Sequence, residues 1–168
     1  GQAVLEFALS TGHYRVKLST KDRFGGEVKA LQPLRVLDPD AAQCRLTIPF
    51  VVDAPSWSAE PGETFSAVWG TGYATGRAFV EITHRGKVLQ RYWTDPDRTQ
   101  VRIAQEVTEA MRGGFHVHVT MVRENRLYVV GRKVQVPWSN KQLSLEWETF
   151  RSNLKPGQDE TWTAVVKG

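Results

Sequence analysis

The fold class is decided by one stretch of strict alternation, Phe115-His116-Val117-His118-Val119-Thr120-Met121. Side chains two positions apart on a strand share a face, so this stretch predicts a strand with one apolar and one polar face. The same period recurs at residues 14–18, 65–69 and 143–147. Half-wet strands of this kind are typical of antiparallel sheets. With turn residues between the runs, they predict an all-β fold, an antiparallel β-sandwich of immunoglobulin-like architecture.

One short segment interrupts the strand pattern. Residues 106–111 contain fair helix formers and precede Gly113-Gly114, where a glycine suits a left-handed cap at a helix end. We therefore expect at most two turns of helix here, as a connection between two strands.

An internal repeat predicts the domain boundaries. The Pro-Gly turns at residues 61–62 and 156–157 each precede an aromatic strand, and they lie about one small sandwich apart. A second pair of similar runs begins at Gly12 and Gly113. In chain order, residues 1–49 are predicted to be the C-terminal strands of one domain. Residues 50–138 are predicted to form a complete sandwich, and residues 139–168 the N-terminal strands of the next domain.

Both ends of the chain fall beside strand-like sequence, so we expect a segment of a longer, multi-domain protein. The two end fragments have strands with an apolar face but no complete partner sheet, and an isolated hairpin is marginal in water. We therefore expect the fragments to bury these faces against each other, or across a strand-mediated dimer.

Composition and charge exclude several classes of protein. The 168 residues carry 22 basic and 18 acidic side chains, a net charge of +4. The basic residues are scattered, which argues against a nucleic-acid partner. No run reaches the roughly 18 to 20 apolar residues of a membrane span. The single cysteine, Cys44, cannot form an internal disulfide, and a lone thiol is more often a small buried apolar residue than a nucleophile.

Several motifs invite a chemical interpretation, and each has a simpler structural one. His116 and His118 are spaced like two metal ligands, but no third ligand is indicated and they fit the polar face of a strand. The glycine-rich residues 70–76 lack the following helix of a phosphate loop, so a flexible connection between strands is predicted. Asp-Pro-Asp at residues 38–40 and 95–97 is explained by turns rather than by calcium ligation. With no serine elbow and no carboxylate pair singled out by spacing, the sequence predicts a non-enzyme without catalytic, cofactor-binding or metal-ligating residues.

Six tryptophans divide into two groups. Three lie on apolar strand faces and are expected in the core: Trp69, Trp147 and Trp162. Three lie near turns and are the better surface candidates: Trp57, Trp93 and Trp138. Exposed rings can stack on sugars, so an adhesion or carbohydrate-binding module is the alternative function, although packing is the commoner use of such rings.

Three stretches resemble bacterial alpha-2-macroglobulin-family proteins: residues 107–117, 122–128 and 136–143. They read Val-Thr-Glu-Ala-Met-Arg-Gly-Gly-Phe-His-Val, Val-Arg-Glu-Asn-Arg-Leu-Tyr and Val-Pro-Trp-Ser-Asn-Lys-Gln-Leu. The Pro-Gly-Glu at residues 61–63 is similar to the start of macroglobulin-like domains. Residues 150–162 resemble the opening of a following domain.

The resemblance implies seven-stranded macroglobulin-like sandwiches within a large periplasmic or secreted protein that traps proteases. In that family, cleavage of a bait segment triggers collapse around the protease, and a Cys-x-x-Gln thioester often captures it. Here Cys44 is followed by Arg-Leu-Thr, so the thioester motif is absent, and no long unstructured bait segment is present. The implied role is a non-catalytic scaffold near the bait, without a cofactor. Its implied partners are proteases, met through the full-length parent, and neighbouring macroglobulin-like domains.

Overall fold

The structure, a computed structural model, describes residue 4 and residues 6–141, 143–149, 153, 155–157 and 159–167. It divides into two compact units, Gly1–Val136 and Pro137–Gly168. Apart from short 3₁₀ turns at Glu109–Met111 and Ser139–Lys141, the regular structure of these described residues is all strand. The predicted all-β class is therefore confirmed. Nowhere in the described part of the chain is there a helix long and apolar enough to cross a membrane.

The described residues form the following strands: β1 Gly12–Lys21, β2 Glu27–Val36, β3 Val51–Asp53, β4 Thr64–Gly70, β5 Phe79–His84, β6 Lys87–Trp93, β7 Gln100–Glu106, β8 Phe115–Arg123, β9 Arg126–Val134, β10 Ser144–Thr149 and β11 Thr163–Lys167.

Strands β3 to β9, in a range where every residue is described, form two antiparallel sheets. One has the order β3-β4-β7 and the other the order β6-β5-β8-β9. The predicted antiparallel sandwich is confirmed, and its strand number is the seven that the resemblance implies. The predicted alternation of residues 115–121 is also realised, because Phe115, Val117 and Val119 are 0% exposed while His116 between them is exposed.

Aromatic rings join the two sheets in the core. Phe65 of β4 meets Phe115 of β8 edge to face, with ring centroids 5.7 Å apart. Trp57 adds a third ring, with its centroid 5.5 Å from that of Phe65. Burying rings of this size removes a large apolar area from water, so this row is a main source of the sandwich's stability.

The predicted helical connection between β7 and β8 is a single short turn, Glu109–Met111. Gly113 and Gly114 follow with φ of 91° and 100°, as expected for glycines that end a helical turn. At Gly114 a Cβ would overlap the carbonyl oxygen of Val134 and come within 2.8 Å of Lys133 Cε. The chain can therefore turn into β8 only because this residue has no side chain.

The hairpin β1–β2 has the amphipathic character that its sequence predicts. Its register places Tyr14 opposite Leu34 and Leu18 opposite Ala30, so these apolar residues share one face. Leu18 is 51% exposed and Leu34 is 41% exposed.

The hairpin β10–β11 belongs to the second unit and is exposed along both strands. Leu145 and Val166 are paired across it and are each 58% exposed. Burial of this face and of the β1–β2 face by another strand pair, or across a dimer, stays a prediction. The domain boundaries read from the repeat also stay predictions.

Candidate functional site

The two histidines lie on the outer face of the four-stranded sheet. Their rings stack with centroids 6.1 Å apart. His118 lies opposite Gly131, where a Cβ would be only 2.9 Å from His118 Nδ1. Within the described part of the chain, no group of three His, Cys, Asp or Glu side chains could hold a metal ion. The pair is thus placed on the polar strand face that the alternation indicates.

Both Asp-Pro-Asp motifs form the predicted turns. The backbone amide of Asp40 donates to Asp38 Oδ1 at 3.1 Å, and that of Asp97 donates to Asp95 Oδ1 at 2.9 Å. In each motif the first carboxylate stabilises its own turn, the usual role of Asp in this position.

The connection from β2 to β3, residues 37–50 and here called the strap, is bonded to the end of the sandwich. The backbone N–H of Cys44 donates to Thr99 Oγ1 at 3.0 Å, and the backbone N–H of Gln100 donates to the Ala42 carbonyl at 3.2 Å. Leu46 of the strap is only 4% exposed. Cys44 itself is half-buried, and this burial raises the pKa of its thiol. The thiol is therefore protonated at neutral pH, which suits a packed residue rather than a nucleophile.

The glycine-rich residues 70–76 are held against the strap, so the prediction of a flexible connection is wrong. Gly72 N donates to the Ile48 carbonyl at 2.7 Å, and a Cβ on Gly72 would lie 2.5 Å from the Leu46 carbonyl oxygen. Thr71 is fully buried, and its Oγ1 donates to the Pro49 carbonyl at 2.7 Å. The glycine allows close backbone packing, a requirement that composition alone does not distinguish from flexibility.

Replacing Thr71 with valine tests this attachment. Valine keeps the side chain's shape but leaves the Pro49 carbonyl without its donor and the Tyr73 amide without the Thr71 oxygen that accepts from it, so the free energy of unfolding should fall by about 1–2 kcal/mol. Urea denaturation measures the change. Thr47→Val, at an exposed strap position, is the matched control and should change stability by less than about 0.5 kcal/mol. Equal losses in the two variants would contradict the proposed attachment.

The predicted core tryptophans divide between the two units. Trp69 is fully buried in the sandwich, as predicted. For the other two the prediction is wrong, because Trp147 is 53% and Trp162 is 48% exposed. Their rings meet edge to face in the second unit, with ring centroids 6.2 Å apart.

The predicted surface tryptophans are correct for two residues of three. Trp93 is 55% and Trp138 is 45% exposed. Trp57 is instead packed against the core, with the Arg132 guanidinium 4.3 Å from its ring centroid. The reason is a parallel bridge between Ser58 and Gln135, which holds this segment against the end of β9.

A cluster of hydroxyls lies at the end of the sandwich that the strap covers. Tyr73 OH is 3.3 Å from Tyr128 OH and donates to Glu124 Oε2 at 3.3 Å. The hydrogen bond with Tyr128, followed by burial and the charge of Glu124, raises the pKa of Tyr73 to about 12. The neutral phenol is the favoured form because it is hydrogen-bonded and because burial and the nearby Glu124 charge disfavour the phenolate.

Tyr128→Phe should lower the pKa of Tyr73 toward its ordinary value of 10. Carbon-13 NMR of the tyrosine Cζ atoms during a pH titration measures this shift, and Tyr14→Phe in the β1–β2 hairpin is the control. Because the folded-state pKa is raised, the contribution of the bond to stability is present below about pH 10. It is lost as the pH rises through about 12. An unchanged Tyr73 titration in Tyr128→Phe would contradict this assignment.

Beside this cluster lies a cleft of about 410 Å³ that contains two arginines. The Arg77 guanidinium carbon is 4.6 Å from the Trp93 ring centroid, and that of Arg123 is 5.3 Å from the Tyr73 ring centroid. Arg123 also donates to Thr75 Oγ1 at 3.4 Å. Among the described residues, no carboxylate forms an ion pair with either guanidinium. Neither residue could be singled out from the sequence, since only strand pairing brings the two to one cleft.

A family model decides the relationship of the chain to known proteins. The model of the alpha-2-macroglobulin bait region domain matches residues 34–166. The chain belongs to the alpha-2-macroglobulin family. The resemblance read from the sequence is thereby confirmed. No curated protein matches the chain.

The match changes one detail of the alpha-2-macroglobulin assignment. The resemblance implies a scaffold near the bait, whereas the matched family is the bait region domain itself. The matched residues begin at the end of β2 and include the strap, the whole sandwich and most of the β10–β11 hairpin.

Proposed function

We propose that this chain is a non-catalytic scaffold segment of an alpha-2-macroglobulin-like protein that traps proteases in the periplasm or outside the cell. The observation that carries the proposal is the match to the bait region domain over residues 34–166. Members of the family are protease inhibitors rather than enzymes, so the trapped protease is the expected partner of the full-length parent.

The use of polar groups in the sandwich supports a scaffold. The first carboxylate of each Asp-Pro-Asp motif stabilises its own turn, and Thr71 holds the strap. Arg112, whose side chain is 6% exposed, donates to both carboxylate oxygens of Glu109 at 2.6 and 2.8 Å. These groups fix backbone geometry, which is what a domain needs in order to hold its neighbours in place.

A protease challenge of the full-length parent tests the proposal. A broad-specificity protease is incubated with the parent, and its activity is assayed on a large protein substrate and on a small peptide. A caged protease no longer cleaves the large substrate but still cleaves the peptide, because only the peptide diffuses into the cage. Unchanged activity on both substrates would refute protease trapping.

The alternative function, an adhesion or carbohydrate-binding module, is favoured by one observation. Trp147 and Trp162 present about half of their surfaces to solvent and lie next to each other. Titration with polysaccharides, followed by tryptophan fluorescence, tests it. A saturable change that disappears in Trp147→Ala would favour carbohydrate binding over the scaffold role.

A further inference from the structure

We propose that the cleft containing Arg77 and Arg123 binds an acidic peptide segment of a partner protein, by its carboxylate and a neighbouring apolar side chain. This inference does not depend on protease trapping. It rests on the positions of the two guanidinium groups, their lack of acidic partners and the apolar surface beside them.

Both guanidinium groups are held in place by aromatic rings. Arg77 lies over Trp93 and Arg123 lies over Tyr73. A ring contact of this kind fixes the plane of the guanidinium while leaving its N–H groups able to bind a ligand. Arg123 makes one long hydrogen bond to Thr75, at 3.4 Å. The remaining N–H groups of both guanidiniums are therefore able to donate hydrogen bonds to a planar anion.

The acidic side chains near the cleft, Glu124 and the two that flank the cleft-lining Pro96, Asp95 and Asp97, are not paired with its arginines in the described structure. Glu124, at the same end of the sandwich, accepts a hydrogen bond from Tyr73 rather than pairing with Arg123. Within the part of the chain that the structure describes, neither Arg77 nor Arg123 has a carboxylate partner. An arginine fork matches a carboxylate in shape and in charge, so a carboxylate is the ligand that this pair recognises best.

The surroundings favour a peptide over a sugar acid. The Arg77 guanidinium carbon lies 4.6 Å from the Trp93 ring centroid, and the Phe79 ring centroid lies 5.2 Å from it. Two side chains therefore already contact this ring. The ring face that Arg77 covers therefore positions an arginine and is closed to a sugar ring, although the Trp93 side chain as a whole is 55% exposed. An aliphatic side chain requires no free ring face.

An apolar strip adjoins the cleft on the outer face of the four-stranded sheet. The register places Val122 opposite Leu127, and Val129 lies on the same face. Their exposed fractions are 69%, 66% and 56%. Val122 also lines the cleft, together with the buried Met121. A peptide with a carboxylate at the arginines thus has an apolar surface for the side chain next to it.

Two peptides that differ only in charge test the proposal on the 168-residue chain. The probes are acetyl-Leu-Glu-Leu-Val-amide and its analogue with glutamine in place of glutamate. Binding is followed at low salt by the arginine Nε–H and tryptophan Nε1–H signals in NMR. The glutamate peptide should shift the signals of Arg77, Arg123 and Trp93 and bind about tenfold more tightly than the glutamine analogue.

Variants assign the binding to the cleft. Arg77→Gln and Arg123→Gln should each weaken binding of the glutamate peptide about tenfold, toward the affinity of the glutamine analogue. Arg123→Lys keeps the charge without the fork and should bind with intermediate affinity. Arg98→Gln is the matched control at an exposed position and should bind as the unchanged chain does. Thermal melting of each variant tests whether it is still folded, so that a loss of binding can be distinguished from a loss of folding.

Four results would overturn the proposal. One is equal binding of the two peptides, and another is binding that Arg123→Gln leaves intact. The third is that inorganic phosphate shifts the arginine signals while the glutamate peptide does not, which would indicate a general anion site without peptide recognition. Absence of any binding at millimolar peptide would also refute it.

Discussion

Replacing Gly114 with alanine is expected to lower the free energy of unfolding of the sandwich by about 3–4 kcal/mol. Two costs add at this position. Gly114 has φ of 100°, which an L side chain rarely adopts. The new Cβ would also overlap the carbonyl oxygen of Val134, a backbone atom in a paired strand that has little room to move. Urea denaturation monitored by tryptophan fluorescence measures the change.

Gly86→Ala separates these two costs. Gly86 lies in the turn between β5 and β6 with φ of 77°, and a Cβ there would meet nothing within 4 Å. Only the backbone strain applies, so the expected loss is about 1 kcal/mol. Equal destabilisation by the two substitutions would show that the contact with Val134 adds nothing.

Phe115→Ala should lower the free energy of unfolding by about 3–5 kcal/mol. Phe115 is 0% exposed and contacts Phe65 across the two sheets, so its removal leaves a cavity at the centre of the core. The same denaturation experiment measures the loss.

Phe24→Ala is the matched control for Phe115→Ala. Phe24 is at the tip of the β1–β2 hairpin and is 82% exposed, so its removal should change stability by less than about 0.5 kcal/mol. If Phe115→Ala were as mild as Phe24→Ala, the placement of β8 in the core would be wrong.

The strands of the sandwich could be predicted because each carries its own signal. Phe65 and Trp69 of β4 stand at the apolar positions of the alternating run at residues 65–69, and both are buried as predicted. A strand's buried face is readable in its own sequence whenever one face contacts a core and the other contacts water. The turn at Asp95 was readable for a similar reason, since its hydrogen bond is made within the motif.

Features that depend on a distant part of the chain could not be predicted in this way. Trp147 has the pattern of a core residue, but its exposure depends on whether a second sheet covers β10. Gly72 has the composition of a flexible loop, but its role depends on the strap lying against it. The cleft is the clearest case, since Arg77 and Arg123 meet only through the pairing of β5 with β8.

The protease challenge, repeated on parents that carry the glycine substitutions, tests most directly whether this chain is the scaffold of a protease trap. The assay compares residual cleavage of a large protein and of a small peptide in the presence of the unchanged parent, the Gly86→Ala parent and the Gly114→Ala parent. We expect the unchanged parent and the Gly86→Ala parent to block cleavage of the large substrate only. The Gly114→Ala parent should block cleavage of neither substrate, because its sandwich is destabilised. Unchanged cleavage of the large protein with the unchanged parent would contradict protease trapping. Full caging by a Gly114→Ala parent whose sandwich is shown to be unfolded would contradict the scaffold role.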